Sequence, residues 1–408
     1  MVRSHYNQKA RLRQFARPEG KHHKVTMVDL KNHRIGNRNI ETAFYEEGLY
    51  SDELEKELKV KVEDPGMKIF DKIYKSDRFV VLTRAELEMM KKYLLIQQYR
   101  NPSNISHYDP EWEGDIIHYN RQKFADSDET YKEYVYRMMH EVLDHSWGEL
   151  IESDIMEIRN NAMNINGTRT MFVRSNHEFV INDIGLVTER QPWSKFTGNK
   201  EIRRMLETWL ESERVNATGE ELDRYIASHQ YHDNFTFYPI SSRFGIVTID
   251  GLWVMMMKFK EAYKLASDRE GELYTTVDPE FFRWMRDEME LESGFIQQNF
   301  VPCIPNYKSD ELKGITSEQE FAEKIGTYKD QDDTYLYPVI DLMLDWSLYL
   351  NRLTINEAQN YFAFGSNMDG RISIDNYEME RLIYAKEGDA KNDLSWIQNT
   401  NDWTKPLI

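Results

Sequence analysis

The chain has 408 residues, 40% hydrophobic and 30% charged, with 24 Tyr, 19 Phe and 9 Trp, so it can bury a sizeable core and falls outside the disordered class. Its formal net charge of -18 argues against broad, sequence-independent binding to phosphate backbones. A lone cysteine, Cys303, excludes an intrachain disulfide, and no apolar stretch reaches bilayer-spanning or signal-peptide form, which together predict a soluble cytoplasmic protein with no membrane partner.

Positive charge gathers at the start, where Arg3, Lys9, Arg11, Arg13, Arg17, Lys21 and Lys24 meet only Glu19. This patch is the candidate phosphate contact. Within SHYNQKARLRQFA, Leu12 and Phe15 are spaced to pack, which predicts an ordered segment, helical from Lys9 to Ala16, in place of a free arm. A short strand follows around Val25, Met27 and Leu30, then a turn near Asn32 and Ile35-Gly36-Asn37.

From Ser51 to Tyr74, Leu54, Leu58 and Val62 recur every four residues and predict an amphipathic helix that Pro65-Gly66 ends or interrupts. The clearest helix begins at Thr83, which forms a capping box with Glu86, and stops at Asn101-Pro102. A long helical stretch is expected from about residue 130 to 164. TMFVRS, HEFVIND and FTFYPISSRFGIVTI then read as strands of one sheet, with EIRRMLETWLESE as a helix between them. The final third reads as helical: a segment opened by Pro279, then SEQEFAEKIG, then an apolar stripe from Tyr337 to Phe362. These elements predict an α+β fold, mostly helical, as a single large domain over residues 1–370 with a modest mixed or antiparallel sheet. Residues 371–408 read as an acidic polar tail, partly ordered at best.

No phosphate-binding glycine loop, dinucleotide fingerprint, nucleophile elbow or paired-cysteine motif is present. GSNMDG, from Gly365, is bounded by glycines but lacks the lysine, and no following helix is expected. HEVLDH places His140 and His145 five apart, so their rings diverge by about 140° on a helix and fail the zinc-protease pattern. Glu141, His145 and Glu149 do share a face, although charged spacing of four is common on ordinary helices. His229 and His232 beside Asp233 read as a polar loop or a helical pair, and His22-His23 would point to opposite faces of a strand. Cys303, between two prolines, reads as a small buried apolar residue. Asp183 follows the apolar strand FVI, which suits a general base or an ordinary turn. Gln97 and Arg100 lie one turn apart near a helix end, where a buried arginine fork would hold a carboxylate or phosphate.

His5, Tyr6, Leu12, Arg13 and Phe15, followed by VTMVDLKN, resemble a bacterial family of domains of unknown function, number 4238 in its naming series, whose members begin H-Y-V-P-Q-x-x-L-R-x-F. Gln8 and Lys9 stand where that pattern has Pro and Gln. The resemblance continues in order through Asn39 with Phe44-Tyr45, through Leu54, Glu55, Leu58 and Glu63, and through Gln97, Arg100 and Pro102. It then takes in Asp183 in NDIG, Tyr238-Pro239-Ile240-Ser241-Ser242, and Asn351 with Phe362-Ala363. It implies no reaction; a setting in bacterial genomes and mobile elements suits an accessory or defence role.

Two readings follow. In the first, the protein is a nucleic-acid-directed hydrolase acting as a toxin or phage-defence effector. His5, Glu55, Arg100 and Asp183 would be catalytic, and Tyr6, Arg13 and Gln97 would bind substrate. In the second, the same polar residues staple the N-terminus onto the sheet of a non-catalytic sensor or protein-binding regulatory module. No metal site and no cofactor is assigned. His5 and Tyr6 are expected near the sheet, within reach of Asp183.

Overall fold

A computed structural model describes residues 3–5, 7–47, 51–100, 131–192, 231–250, 294–301, 303–306, 308, 330–384, 392–399 and 403. Strand β1 (Arg3–His5) leads into α1 (Lys9–Arg13). Leu12 and Phe15 are buried, as their spacing predicts. The helix ends earlier than Ala16, because Gln14 and Phe15 bond back three residues, to the carbonyls of Arg11 and Leu12. β2 (Arg17–Glu19), β3 (His22–Asp29) and β4 (Arg34–Asn39) form two successive hairpins, and β5 (Tyr45–Glu47) returns to pair with β1.

The amphipathic stretch is α2 (Asp52–Leu58) and α3 (Asp64–Tyr74), joined without a break by a π-helical turn, Lys59–Glu63. Pro65 lies in the first turn of α3, where its missing N–H costs little, so the expected interruption becomes a widened turn. β6 (Phe79–Thr83) feeds α4 (Arg84–Tyr99) through the predicted box: Glu86 N donates to Thr83 Oγ1 at 3.2 Å and Thr83 N donates to Glu86 Oε2 at 3.0 Å. The long stretch expected after residue 130 is three helices, α5 (Tyr131–Asp144), α6 (Trp147–Ile151) and α7 (Met156–Gly167), because Ser146 opens a second capping box with Glu149.

β7 (Arg169–Ser175), β8 (Ile181–Asn182), β9 (Val187–Pro192), β10 (Tyr231–Pro239) and β11 (Phe244–Ile249) follow. Then come α8 (Gly294–Asn299), β12 (Ile304–Asn306), β13 (Thr334–Leu342), α9 (Leu344–Glu357), β14 (Tyr361–Phe364) and α10 (Asn367–Tyr384). The helices read at EIRRMLETWLESE and SEQEFAEKIG, and most of the one opened by Pro279, lie outside the described residues.

The expectation of a mostly helical chain with a modest sheet is overturned. Among the described residues there are two substantial sheets, of seven and five strands, beside the β1–β5 pair. The larger runs β12-β13-β7-β11-β10-β9 with β6 also on β13, and only the β13–β7 pairing is parallel. The smaller runs β2-β3-β14-β8 with β4 on β3. Much of the error lies between Tyr337 and Phe362, which is strand, helix and strand. A short apolar run such as YFAF does not separate the two classes by period.

Val80 and Leu82 are buried while Phe79 and Val81 are exposed, so the period of two sets one face of β6 on the core. Phe172 meets Tyr337 edge-on there, with ring centroids 5.2 Å apart. A second core forms on the five-stranded sheet from Val28, Phe362, Phe364, Ile374, Tyr377, Leu394, Ile397 and Trp403. The polar stretch after residue 370 therefore supplies a helix and buried apolar side chains among its described residues.

Candidate functional site

Of the residues selected from sequence, the structure joins Glu55 and Arg100. Arg100, at the end of α4, is 1% exposed, bonds Glu63 and lies 3.7 Å from Glu55 Oε2. Eight residues apart, two side chains on an uninterrupted α-helix would diverge by about 80°. The π turn between Glu55 and Glu63 winds more slowly and swings the second carboxylate back toward the first. Arg100 is thus clamped from one helix.

The other selected residues are dispersed. His5 is buried in β1 opposite Tyr45, with ring centroids 5.9 Å apart. Asp183 belongs to a different sheet, just beyond β8. Its carboxylate accepts backbone N–H groups from Gln359 at 3.0 Å, Asn360 at 2.7 Å and Tyr361 at 3.3 Å, so it fastens the turn before β14. Burial pushes that carboxyl up while these bonds pull it down. Gln97 Nε2 donates to Ile184 O at 3.4 Å, Arg13 is exposed at the end of α1, and Tyr6 lies outside the described residues.

The basic N-terminal patch is largely consumed internally. Arg11 is buried and donates to Pro239 O through Nε at 3.0 Å and to Gly185 O. Arg17 reaches Gly365 O and Asn367 Oδ1, while Lys9 pairs with Glu41 and Lys24 with Glu19. Asn7 Nδ2 bonds Asn182 O at 2.8 Å, and Tyr93 OH bonds Gln8 Oε1 at 2.9 Å. The segment is a staple between α4 and the sheets.

A second constellation went unread in the sequence. GSNMDG is followed by a helix after all: β14 passes through Gly365-Ser366 directly into α10. That junction sets Asp369 and Ser373 against His177 and Glu178, from the segment after β7. His177 Nδ1 lies 3.4 Å from Asp369 Oδ1, and His177 Nε2 lies 2.9 Å from Ser373 Oγ. Asn351 of α9 donates through Nδ2 to Ser373 Oγ at 2.9 Å, and its Oδ1 accepts from Val180 N, which fixes its orientation. A neutral His177 ring protonated on Nδ1 faces Asp369 and accepts from Ser373 at Nε2, while one protonated on Nε2 donates to Ser373 Oγ, which has a lone pair for each of Asn351 and His177.

These are the distances of a serine-histidine-aspartate relay, yet Ser373 is 1% exposed within a helix and is no accessible nucleophile. The accessible edge is elsewhere. Arg243, in the turn between β10 and β11, has a side chain 41% exposed and lies 4.0 Å from Glu178 Oε1 and 3.7 Å from Asp369 Oδ2. The carboxylates sit beneath it, 16% and 11% exposed. Glu178 Oε2 accepts from Ser366 N at 2.6 Å, and Glu178 N donates to Asp369 Oδ2 at 3.3 Å. Burial pushes the Glu178 carboxyl above the usual carboxylate range, with Arg243 acting in the opposite direction. Two carboxylates with different surroundings and one exposed guanidinium therefore meet at one place.

Burial also lowers the His177 pKa, against the pull of Asp369. Above about pH 6.5 the ring is neutral in folded and unfolded chains alike, and its contribution to stability is complete. As pH falls below that value the unfolded chain binds the proton first. Stability should then drop by at most about 1.4 kcal/mol per pH unit until the folded ring protonates. Urea midpoints between pH 5 and 8, compared with His177→Gln, check this; equal slopes in the two proteins would refute it.

The other sequence candidates hold local pairs. His145 Nδ1 faces Glu141 Oε2 at 3.4 Å, Glu149 caps α6, and His140 Nδ1 lies 3.2 Å from Glu57 Oε2. No group of three or more metal-ligating side chains occurs among the described residues. His229 lies outside them and His232 is in β10. Cys303 is half-buried, its thiol pushed up by burial. No helix among the described residues is long and apolar enough to cross a membrane.

No curated protein and no solved structure matches the chain. The model of the family described as "Protein of unknown function (DUF4238)" matches residues 3–252. That span includes His177, Glu178 and Arg243 and ends before Asn351, Asp369 and Ser373. With well over half of its length matched, the chain belongs to the DUF4238 family.

Proposed function

We propose that the protein is a hydrolase in which Glu178 and Asp369 perform acid–base chemistry on a substrate whose anionic group is held by Arg243. The observation that carries this reading is the exposed Arg243 guanidinium lying within 4.0 Å of both carboxylates. Glu178, with its raised pKa, is the proton donor to the leaving group. Asp369, whose Oδ1 lies 3.4 Å from His177 Nδ1, accepts the proton of the attacking water, and His177 positions it. Arg243 neutralises the substrate's charge by forked hydrogen bonds. The internal use of Arg11, Arg17, Lys9 and Lys24 favours a small anionic ester over a long nucleic acid. Such an activity, turned on an essential substrate, would arrest growth as a toxin or defence effector does.

The test is turnover of nitrophenyl phosphodiester, phosphomonoester and carboxylic ester substrates by the purified protein. Glu178→Gln and Asp369→Asn should each lose about 10²–10⁴-fold in rate with the fold retained. No turnover of any substrate by the parent, or full activity in Glu178→Gln, would sink the reading. The alternative, a non-catalytic sensor or protein-binding module, is favoured by Asp183, whose carboxylate is occupied by three backbone N–H groups. Under that alternative these variants change stability alone.

A further inference from the structure

We infer, on the basis of the hydrolase reading, that the site of Glu178, Asp369 and Arg243 takes an anionic ester carrying one long alkyl chain, with the charged head on Arg243 and the chain along an exposed apolar stripe of α10. Met343 and Leu344 at the start of α9, and Met368, Ile372 and Met379 on α10, are between 38% and 69% exposed. They are five of the eleven large apolar side chains that stand exposed among the described residues, so the two helices that carry Asn351 and Asp369 also carry much of the open apolar surface.

The stripe begins beside the carboxylate. Around the axis of α10, Met368, Ile372 and Met379 fall about 60–100° to one side of Asp369. Ser373 and Tyr377, buried and bonded to α9, fall about 40–80° to the other side. Asp369 therefore stands on the border between the packed face and the apolar one. From Met368 to Met379 the stripe runs about 16 Å. α9 lies alongside in the same direction, because Asn351 bonds Ser373 and, further along both helices, Tyr377 OH donates to Asn356 Oδ1 at 3.1 Å. Leu344 shares the α9 face of Ser347 and Asn351, so it falls near the start of the stripe.

Charge selects the occupant. The exposed Arg243 guanidinium lies 3.7 Å from Asp369 Oδ2, where the stripe begins, so an anionic head and an apolar chain on one molecule match both features together. Exposed Asp345 and Asp375 border the stripe and repel an anionic bilayer, and two chains of net charge -18 repel each other. Methionine side chains adapt to chains of different length. With a phosphate ester, water attacks phosphorus and the P–O bond to the leaving alcohol breaks. The alcohol oxygen keeps the electron pair and takes the Glu178 proton, Asp369 takes a proton from the water, and exchange with solvent resets both carboxyls.

The experiment uses the full chain and two pairs of probes, kept below micelle-forming concentrations. Calorimetry compares decylphosphonate with ethylphosphonate, whose C–P bonds do not hydrolyse, and turnover compares nitrophenyl decyl phosphate with nitrophenyl ethyl phosphate. At about twofold per methylene, half the effect of full burial, the decyl compounds should lead about 10²-fold in affinity and in kcat/KM. Met368→Gln combined with Ile372→Gln should cut that lead at least about tenfold with the urea midpoint unchanged, since both side chains face solvent. Val60→Gln, equally exposed on the π-helical turn before α3, should keep it. Arg243→Gln should weaken decylphosphonate about tenfold. A decyl lead in binding with no turnover supports the amphiphile site and removes the hydrolase reading alone. Turnover with no decyl lead in either arm keeps the hydrolase and overturns the amphiphile. A lead that survives the α10 variant or vanishes in Val60→Gln, or full binding in Arg243→Gln, would overturn it too. So would finding, in place of a decyl lead, a dimer in sedimentation or binding to phosphatidylglycerol vesicles that the α10 variant abolishes.

Discussion

Replacing Arg100 by methionine is expected to lower the unfolding free energy by about 3 kcal/mol, the low end of what removing one partner of a buried ion pair costs. The guanidinium is the only part of the pair that is fully buried; Glu63 and Glu55 are 18% and 20% exposed, so water takes up part of the charge left behind. Methionine keeps most of the side-chain volume, which separates lost charge from a cavity. Urea unfolding of Arg100→Met, Glu63→Gln and the double variant resolves the pair. The double variant should recover stability relative to the sum of the singles, because it no longer leaves Glu63 unpaired. Strict additivity would show that the contact contributes nothing.

Gly185→Ala is the second large effect, also about 3 kcal/mol, with backbone strain and overpacking contributing comparably. Gly185 has a φ of +79°, in the region that side chains avoid. An added Cβ would stand 2.5 Å from Asn7 Oδ1, 2.8 Å from Gln97 Nε2 and 3.1 Å from Arg11 Nη1. All three are buried polar groups, and they join the N-terminal segment to α4 and to the loop after β8. Their displacement leaves donors and acceptors unmet, which is costly in the interior. Heat denaturation should show a markedly lower midpoint, and hydrogen exchange should quicken at residues 7–15. A midpoint within a degree of the parent would disprove the close packing of this staple.

The legible parts of the fold were those fixed by near neighbours. The Thr83–Glu86 box and the inward Leu12 and Phe15 depend on spacings of three, and the structure has them. Glu55 and Arg100 are candidates by charge type and family resemblance, and Glu63 by resemblance alone; that the three meet depends on a π turn that no period announces. The basic patch misled because sequence displays the charge of Arg11 and hides its acceptors, Pro239 and Gly185, which arrive from far along the chain. His177 and Asp369 are nearly two hundred residues apart, and no spacing rule connects them. GSNMDG lacks the lysine of a phosphate loop, and the sequence gives no sign of the helix that starts within it at Asn367.

The position of β14 has a consequence in time. It lies between β3 and β8, so the five-stranded sheet is closed by a strand made more than three hundred residues after β3. At translation rates of about 5–20 residues per second, β3 waits roughly 15–70 s for its partner. From its own synthesis until β14 arrives, each of β3 and β8 carries an open hydrogen-bonding edge, flanked by Val28, Val180 and Ile181, the kind of edge that recruits foreign strands. Synthesis of this protein should therefore depend on a holding chaperone more than its finished surface suggests, and slowing the ribosome between residues 29 and 361 should lower the yield of folded chain.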